Sequence, residues 1–133
     1  MITNEIYSYV SSDETLQTLL SGIVGDKKIY PSKAKEGATV PYVIYKSINS
    51  GGSVDEILSD ETLQFNIIAS TYEIATNILK RLSVLLDLQD TKAIASTGAY
   101  IYYSKQIGGY DQYEEDTRYH NRMVSFIFKF KMK

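Results

Sequence analysis

The chain ends in VSFIFKFKMK, a pattern that no helix can accommodate. Val124, Phe126, Phe128, Phe130 and Met132 share one parity, while Ser125, Lys129, Lys131 and Lys133 share the other. Successive side chains of a strand point to opposite faces, so only an extended segment sorts these residues cleanly. The pattern predicts an edge-capable strand with rings on a core and lysines in water. Lysines on a solvent face also deter edge-to-edge pairing, so the basic tail requires no nucleic acid to explain it.

Other segments carry the same period. TLQFNIIAS puts Leu63, Phe65, Ile67 and Ala69 on one face and Thr62, Gln64, Asn66 and Ile68 on the other. PYVIYKSI is a strand of β-branched and aromatic residues, bounded by Pro41 and by the turn chemistry of NSGGS. KKIYPS reads as a short strand closed by Pro31, KAKEGAT as a loop, and AYIYYSKQI as a strand. GGYDQYEEDT, polar and acidic, reads as a mobile loop.

A period of 3.6 marks the helices. STYEIATNILKRLSVLLDL runs without glycine or proline. Ile74, Ile78, Leu82, Leu85 and Leu86 form its apolar face, widened by Ala75 and Leu79, and Asn77, Lys80 and Arg81 lie opposite. Ser70 and Glu73 have capping-box spacing, as do Ser11 and Glu14. Residues 3–10 and the stretch from Ser11 form two short helices, or one that bends near Ser11. Leu16, Leu19, Leu20 and Ile23 make an apolar stripe, and Gly22 or Gly25 stops it. Adjacent strands with polar turns favour antiparallel pairing. The expectation is one α+β domain over 1–133: a mostly antiparallel sheet, an amphipathic helix on one face and short N-terminal helices.

Composition removes several functions. There is no cysteine and one histidine, which excludes disulfides, thiolate metal sites and histidine-rich metal sites. A net charge of −2 argues against a general grip on nucleic acid. The first residues lack a basic lead and an apolar run, and no stretch approaches the ~18 apolar residues of a spanning helix. The expectation is a cytosolic protein before any assembly. The twelve tyrosines suit half-buried strands and contact surfaces alike.

No catalytic constellation stands out. Asp55 with Glu56, Asp60 with Glu61, and Glu114, Glu115 and Asp116 fall in expected loops beside glycine, where carboxylates are solvated. His120 lacks partners for acid–base work and reads as a surface histidine at the mouth of a strand. Gly51-Gly52 and Gly108-Gly109 match no phosphate-loop pattern and read as hinges of two long loops. No catalytic residue, cofactor or metal is expected.

The order of elements resembles the phage tail-completion, or tail-terminator, proteins. The resemblance rests on Ile29, Tyr30 and Pro31, on Pro41 to Tyr45, on TLQFNIIAS followed by a capped helix, and on the closing RYHNRMVSFIFKFK. It implies a non-enzymatic virion protein at the head–tail interface. Such proteins form a ring, usually of six, that ends the tail tube and meets the head connector or stopper. The implied partners are further copies of the chain, the tail-tube protein and the connector, with no membrane and no specific nucleic acid. Gly51, Gly52, Val54, Ile57, Gly108, Tyr110 and Tyr113 are then candidate partner contacts on the two loops. Tyr42, Tyr100 and Tyr102 are candidates for the interface between subunits. The alternative is a small ligand-binding or enzyme domain with a pocket lined by Tyr45, Tyr100 and Tyr102 and His120 at its mouth. A nucleic-acid binder using the terminal lysines ranks last.

Overall fold

A computed structural model of the chain describes residues 2–52, 59–87 and 98–133. Among these the elements run α1 (Thr3–Ser11), α2 (Glu14–Leu20), β1 (Ile29–Pro31), β2 (Tyr42–Gly52), β3 (Ser59–Ala69), α3 (Tyr72–Leu86), β4 (Ala99–Glu114) and β5 (Tyr119–Met132). The strands form one sheet in the order β1-β2-β3-β5-β4. β1 pairs with β2 in parallel, and the other pairs are antiparallel. The fold is α+β, as expected.

The alternating strands meet at the centre. Leu63, Phe65, Ile67 and Ala69 are buried beside Val124, Phe126, Phe128 and Phe130. Phe65 meets Phe126 edge-on at 5.8 Å, which suits the ring quadrupoles. α3 covers them with Ala75, Ile78, Leu82, Leu85 and Leu86, while Ile6 and Val10 of α1 and Leu16 and Leu20 of α2 complete one apolar cluster. Fully burying each such aliphatic or aromatic side chain stabilises the fold by about 1.5–3 kcal/mol.

The terminal strand is not an edge. β5 lies between β3 and β4, with Phe126 opposite Leu63 on one side and Gln106 on the other. Alternation specifies the two faces of a strand and is silent about its neighbours. Met132, the last residue of β5, is exposed although it shares the core parity. Ile23 is exposed too, because α2 ends before it.

Both helix starts differ from expectation by one or two residues. Ser11 is the last residue of α1, and Asp13 caps α2 by accepting from Leu16 N–H at 2.9 Å. Thr71, one past Ser70, caps α3 by accepting from Ile74 N–H at 3.2 Å. Asp13 is better placed because it also receives Arg81 of α3, with Nε at 2.8 Å and Nη2 at 2.7 Å. Arg81, expected on a solvated helix face, therefore ties α3 to the start of α2. Its guanidinium holds the Asp13 carboxyl below the usual carboxylate range, against the opposing effect of burial. Ser21 (φ 57°) takes the left-handed position that ends α2, where Gly22 or Gly25 was expected.

The largest correction concerns GGYDQYEEDT, which is not a loop. β4 continues through Gly108 and Gly109 to Glu114, paired residue by residue with β5, and only Glu115 to Arg118 turn. Gly109 explains one of the glycines. A Cβ there would sit 2.3 Å from the Met123 carbonyl oxygen and 3.3 Å from Val124 Cα. Gly51 and Gly52 likewise extend β2, opposite Asp60 and Ser59. Glu61, expected in a loop, lies in β3 and is buried, accepting from Ile2 N–H at 2.9 Å. Asp55 and Glu56 lie outside the described residues.

Candidate interaction surface

The helices cover one face of the sheet and leave the other open. Side chains that pair across β4 and β5 share a face, so Tyr100 lies with Lys131, Tyr103 with Lys129 and Lys105 with Ile127 on the helix-free side. Register shifts at Tyr102 and at Ile107 mark two bulges. A bulge leaves one residue unpaired and re-aims its side chain. Here both extra side chains join Tyr103, Lys105, Ile127 and Lys129 around a shallow groove of about 520 Å³. Tyr100, Tyr102 and Ile107 are each about half exposed (52%, 47% and 52%). The Tyr100 and Tyr102 rings stand 6.4 Å apart, and Lys133 Nζ sits 4.8 Å above the Tyr100 ring.

β4 is also a sheet edge, but a guarded one. Asp87, just past α3, accepts from the Gln106 backbone N–H at 2.9 Å, and Ser83 donates to the Gln106 side-chain oxygen at 2.8 Å. The two bulges further interrupt the row of backbone groups. An edge treated this way is a poor template for another strand. What β4 offers instead is a tyrosine-rich face.

At its far end the β4–β5 hairpin changes character. Tyr110 and Tyr113 are half exposed, and the turn carries Glu114, Glu115 and Asp116 against Arg118. Glu114, Thr117 and Tyr119 lean toward Ser32, Tyr42, Lys46, Asn66 and Asn121 around a half-open depression of about 320 Å³. Burial there raises the Tyr42 hydroxyl above its ordinary value, and the Glu114 charge adds to the shift. Nearby, burial and a 2.8 Å hydrogen bond to Asp26 push Tyr30 up to about 12.

On the helix side of the hairpin, Arg122 organises a small cluster. It pairs with Asp111, donates to Thr76 Oγ1 at 2.8 Å and lies 5.0 Å from the Tyr72 ring centroid. His120 sits next to it, 5.0 Å from the Tyr113 ring and 6.0 Å from Tyr72. These contacts pin the hairpin to the first turns of α3. Arg122 was missed in the sequence because its partners come from two other elements.

The structure gathers the sequence candidates unevenly. Tyr100 and Tyr102 share the open face, Gly108 and Tyr110 lie further along the same strand, and Tyr113 is near the turn. Tyr42 is on that face but separated from β4 by two intervening strands, half-buried in the depression. Val54 and Ile57 lie outside the described residues. The pocket envisaged from Tyr45, Tyr100, Tyr102 and His120 does not assemble. Tyr45 is buried in the core, stacked on Tyr7 at 5.7 Å, while Tyr100 and Tyr102 lie on the open face beyond two intervening strands. His120 is at the opposite end of the hairpin from both. Among the described residues, no group of three potential metal ligands occurs and no helix is long and apolar enough to cross a membrane.

No protein-family model matches the chain, and neither does any curated protein. Solved structures do match. A chain solved in the virion of a native gene transfer agent particle aligns with a TM-score of 0.68 at 13% identity, over 96% of this chain and 92% of that one. A second solved chain aligns with a TM-score of 0.66 at 11% identity, over 99% and 94%. At such low identity the likeness is one of fold, and it spans nearly the whole of both chains.

Proposed function

We propose that this chain is a structural subunit of a phage-like virion, acting as a tail terminator. Copies close into a ring, of six by the resemblance noted above, on the last ring of the tail tube. The ring stops tube growth and presents a surface to the head connector or stopper. The protein is made in the host cytoplasm and ends in the virion, and its work is assembly rather than catalysis. The observation that carries this reading is the end-to-end likeness of fold to a chain of a gene transfer agent virion particle. The tyrosine-rich open face of β4 and β5 supports it, since Tyr is favoured at buried contacts between proteins. A closed ring uses two different patches on each subunit, and a domain with one open sheet face and one helical side can supply both.

Native mass spectrometry across a concentration series, with negative-stain images of the same samples, tests the reading. Closed rings of one size are the expected result, and the same rings added to growing tail tubes cap them. Unlimited tubes would instead identify a tube subunit, and chains that neither close nor cap would sink the proposal.

A further inference from the structure

The two ends of the β4–β5 hairpin carry opposite charge, and the molecule keeps them apart. At one end Lys105 and Lys129 line the open groove and Lys131 lies beside it on the same face, opposite Tyr100, with Asp60 opposite Lys129 as the acidic neighbour in the register. None of these three ammonium groups forms an ion pair among the described residues. At the other end Glu115 and Asp116 are exposed on the turn and Glu114 borders the depression beside it, with Arg118 the one cation of the turn. The hairpin separates the ends by roughly 35 Å at ~3.3 Å per residue. That is several times the ~8 Å screening length at physiological salt, so the two charges cannot satisfy one another within a chain.

We infer that the lysine–tyrosine groove on the open face of β4 and β5 receives the acidic hairpin turn of a second copy of this chain. The occupant follows from charge complementarity between two surfaces of the same sequence. The groove adds an apolar floor of Tyr102, Tyr103, Ile107 and Ile127, onto which Tyr110 or Tyr113 behind the incoming turn can pack. Backbone pairing between two β4 edges is disfavoured, because Asp87 occupies the Gln106 N–H and two bulges break the row. The contact is therefore face to tip and head to tail. Each subunit gives one turn and receives one, a heterologous contact that closes a ring when the rotation between neighbours closes. The inference rests on the ring reading above and names its interface.

Charge reversal tests it. One variant carries Lys105→Glu, Lys129→Glu and Lys131→Glu; the other carries Glu114→Lys, Glu115→Lys and Asp116→Lys. Like charges brought together at an interface raise the concentration for half-assembly by about 100-fold or more. Each variant alone is expected to lose assembly, read by native mass spectrometry. An equimolar mixture is expected to regain it, because the basic turn of one fits the acidic groove of the other. Rings from the mixture then contain even numbers of subunits, alternating in mass. Rescue by mixing also shows that both variants are folded. Independently of any substitution, raising salt to 1 M is expected to dissociate wild-type assemblies. If wild-type chains form rings and both variants still do, this interface is wrong while the ring reading stands. If wild-type chains form open filaments that charge reversal abolishes, the interface holds and the terminator reading falls. Wild-type chains that stay monomeric at every concentration and cap no tail tube overturn both, and monomers that retain a short DNA duplex at low salt would assign the groove to nucleic acid.

Discussion

At the scale of single residues, the two adjacent glycines of β4 make different demands. Gly109 lies against the β5 backbone, where an added Cβ meets the Met123 carbonyl oxygen at 2.3 Å. Neither that carbonyl nor Val124 Cα can swing aside as a side-chain tip would. Gly109→Ala is expected to cost about 2 kcal/mol, in the range of overpacked sites. Gly108 has nothing within 4 Å, and Gly108→Ala is expected to stay within about 0.5 kcal/mol of wild type. Urea unfolding of the two variants checks the contrast, and equal losses would mean that the strands are not this close. The sequence announced a pair of glycines but not which one the fold requires. Read alone, Gly-Gly beside Tyr, Asp and Glu signals a turn. The pairing that makes it a strand comes from Tyr119 to Val124, whose partners are invisible until the hairpin forms. Cap residues were legible to within two positions for a similar reason. Ser11, Ser12, Asp13, Ser70 and Thr71 all have capping chemistry, and the choice of Asp13 depends on Arg81, 68 residues away.

At the scale of elements, periodicity carried most of the information. Period two identified the buried faces of β3 and β5, and period 3.6 identified α3, because these patterns are imposed by burial on one side. Strand order, the parallel β1–β2 pair and the interior place of β5 were not legible, since they depend on long-range pairing. The amphipathic reading of α3 predicts that Leu82→Ala, at a fully buried site, costs about 2–5 kcal/mol by thermal or urea melting. The junction between α2 and α3 makes a pH prediction. Asp13 has a depressed carboxyl value in the fold, so its ionised form stabilises the native state at neutral pH. That stabilisation is complete above the unfolded value of about 3.9 and disappears as the pH falls through the lower folded value. Asn caps a helix as well as Asp does, so Asp13→Asn removes the charge and keeps the cap. The wild type is expected to melt higher than Asp13→Asn at pH 7, with the gap closing below about pH 4. Asp13→Ala is expected to lose about 1 kcal/mol more than Asp13→Asn, the ordinary worth of the cap. A gap that persisted at pH 2 would show that Arg81 does not depend on the Asp13 charge.

At the scale of the molecule, the candidate surface was half legible. Tyr100 and Tyr102 could be named from AYIYYSKQI, but Lys105, Ile107, Ile127 and Lys129 join them only through two bulges and the register with β5. That surface links assembly to stability. A partner that binds only the folded chain stabilises it by mass action, and in the proposed ring the partner is the chain itself. At a concentration about 100 times the dissociation constant the gain is about 2.7 kcal/mol. For a chain of this size that corresponds to about 10 °C in melting temperature. The wild-type melting temperature is therefore expected to climb with protein concentration, while either charge-reversal variant alone melts at one temperature throughout. The equimolar mixture of the two should recover the climb. A gain that survived charge reversal would place the stabilising contact elsewhere on the molecule. A flat wild-type response over a range in which rings are visible would mean that the subunits associate without adding to the stability of the fold. The contact would then need to form equally well with partly opened chains, which a rigid hairpin pinned to α3 by Arg122 and Tyr72 makes physically difficult.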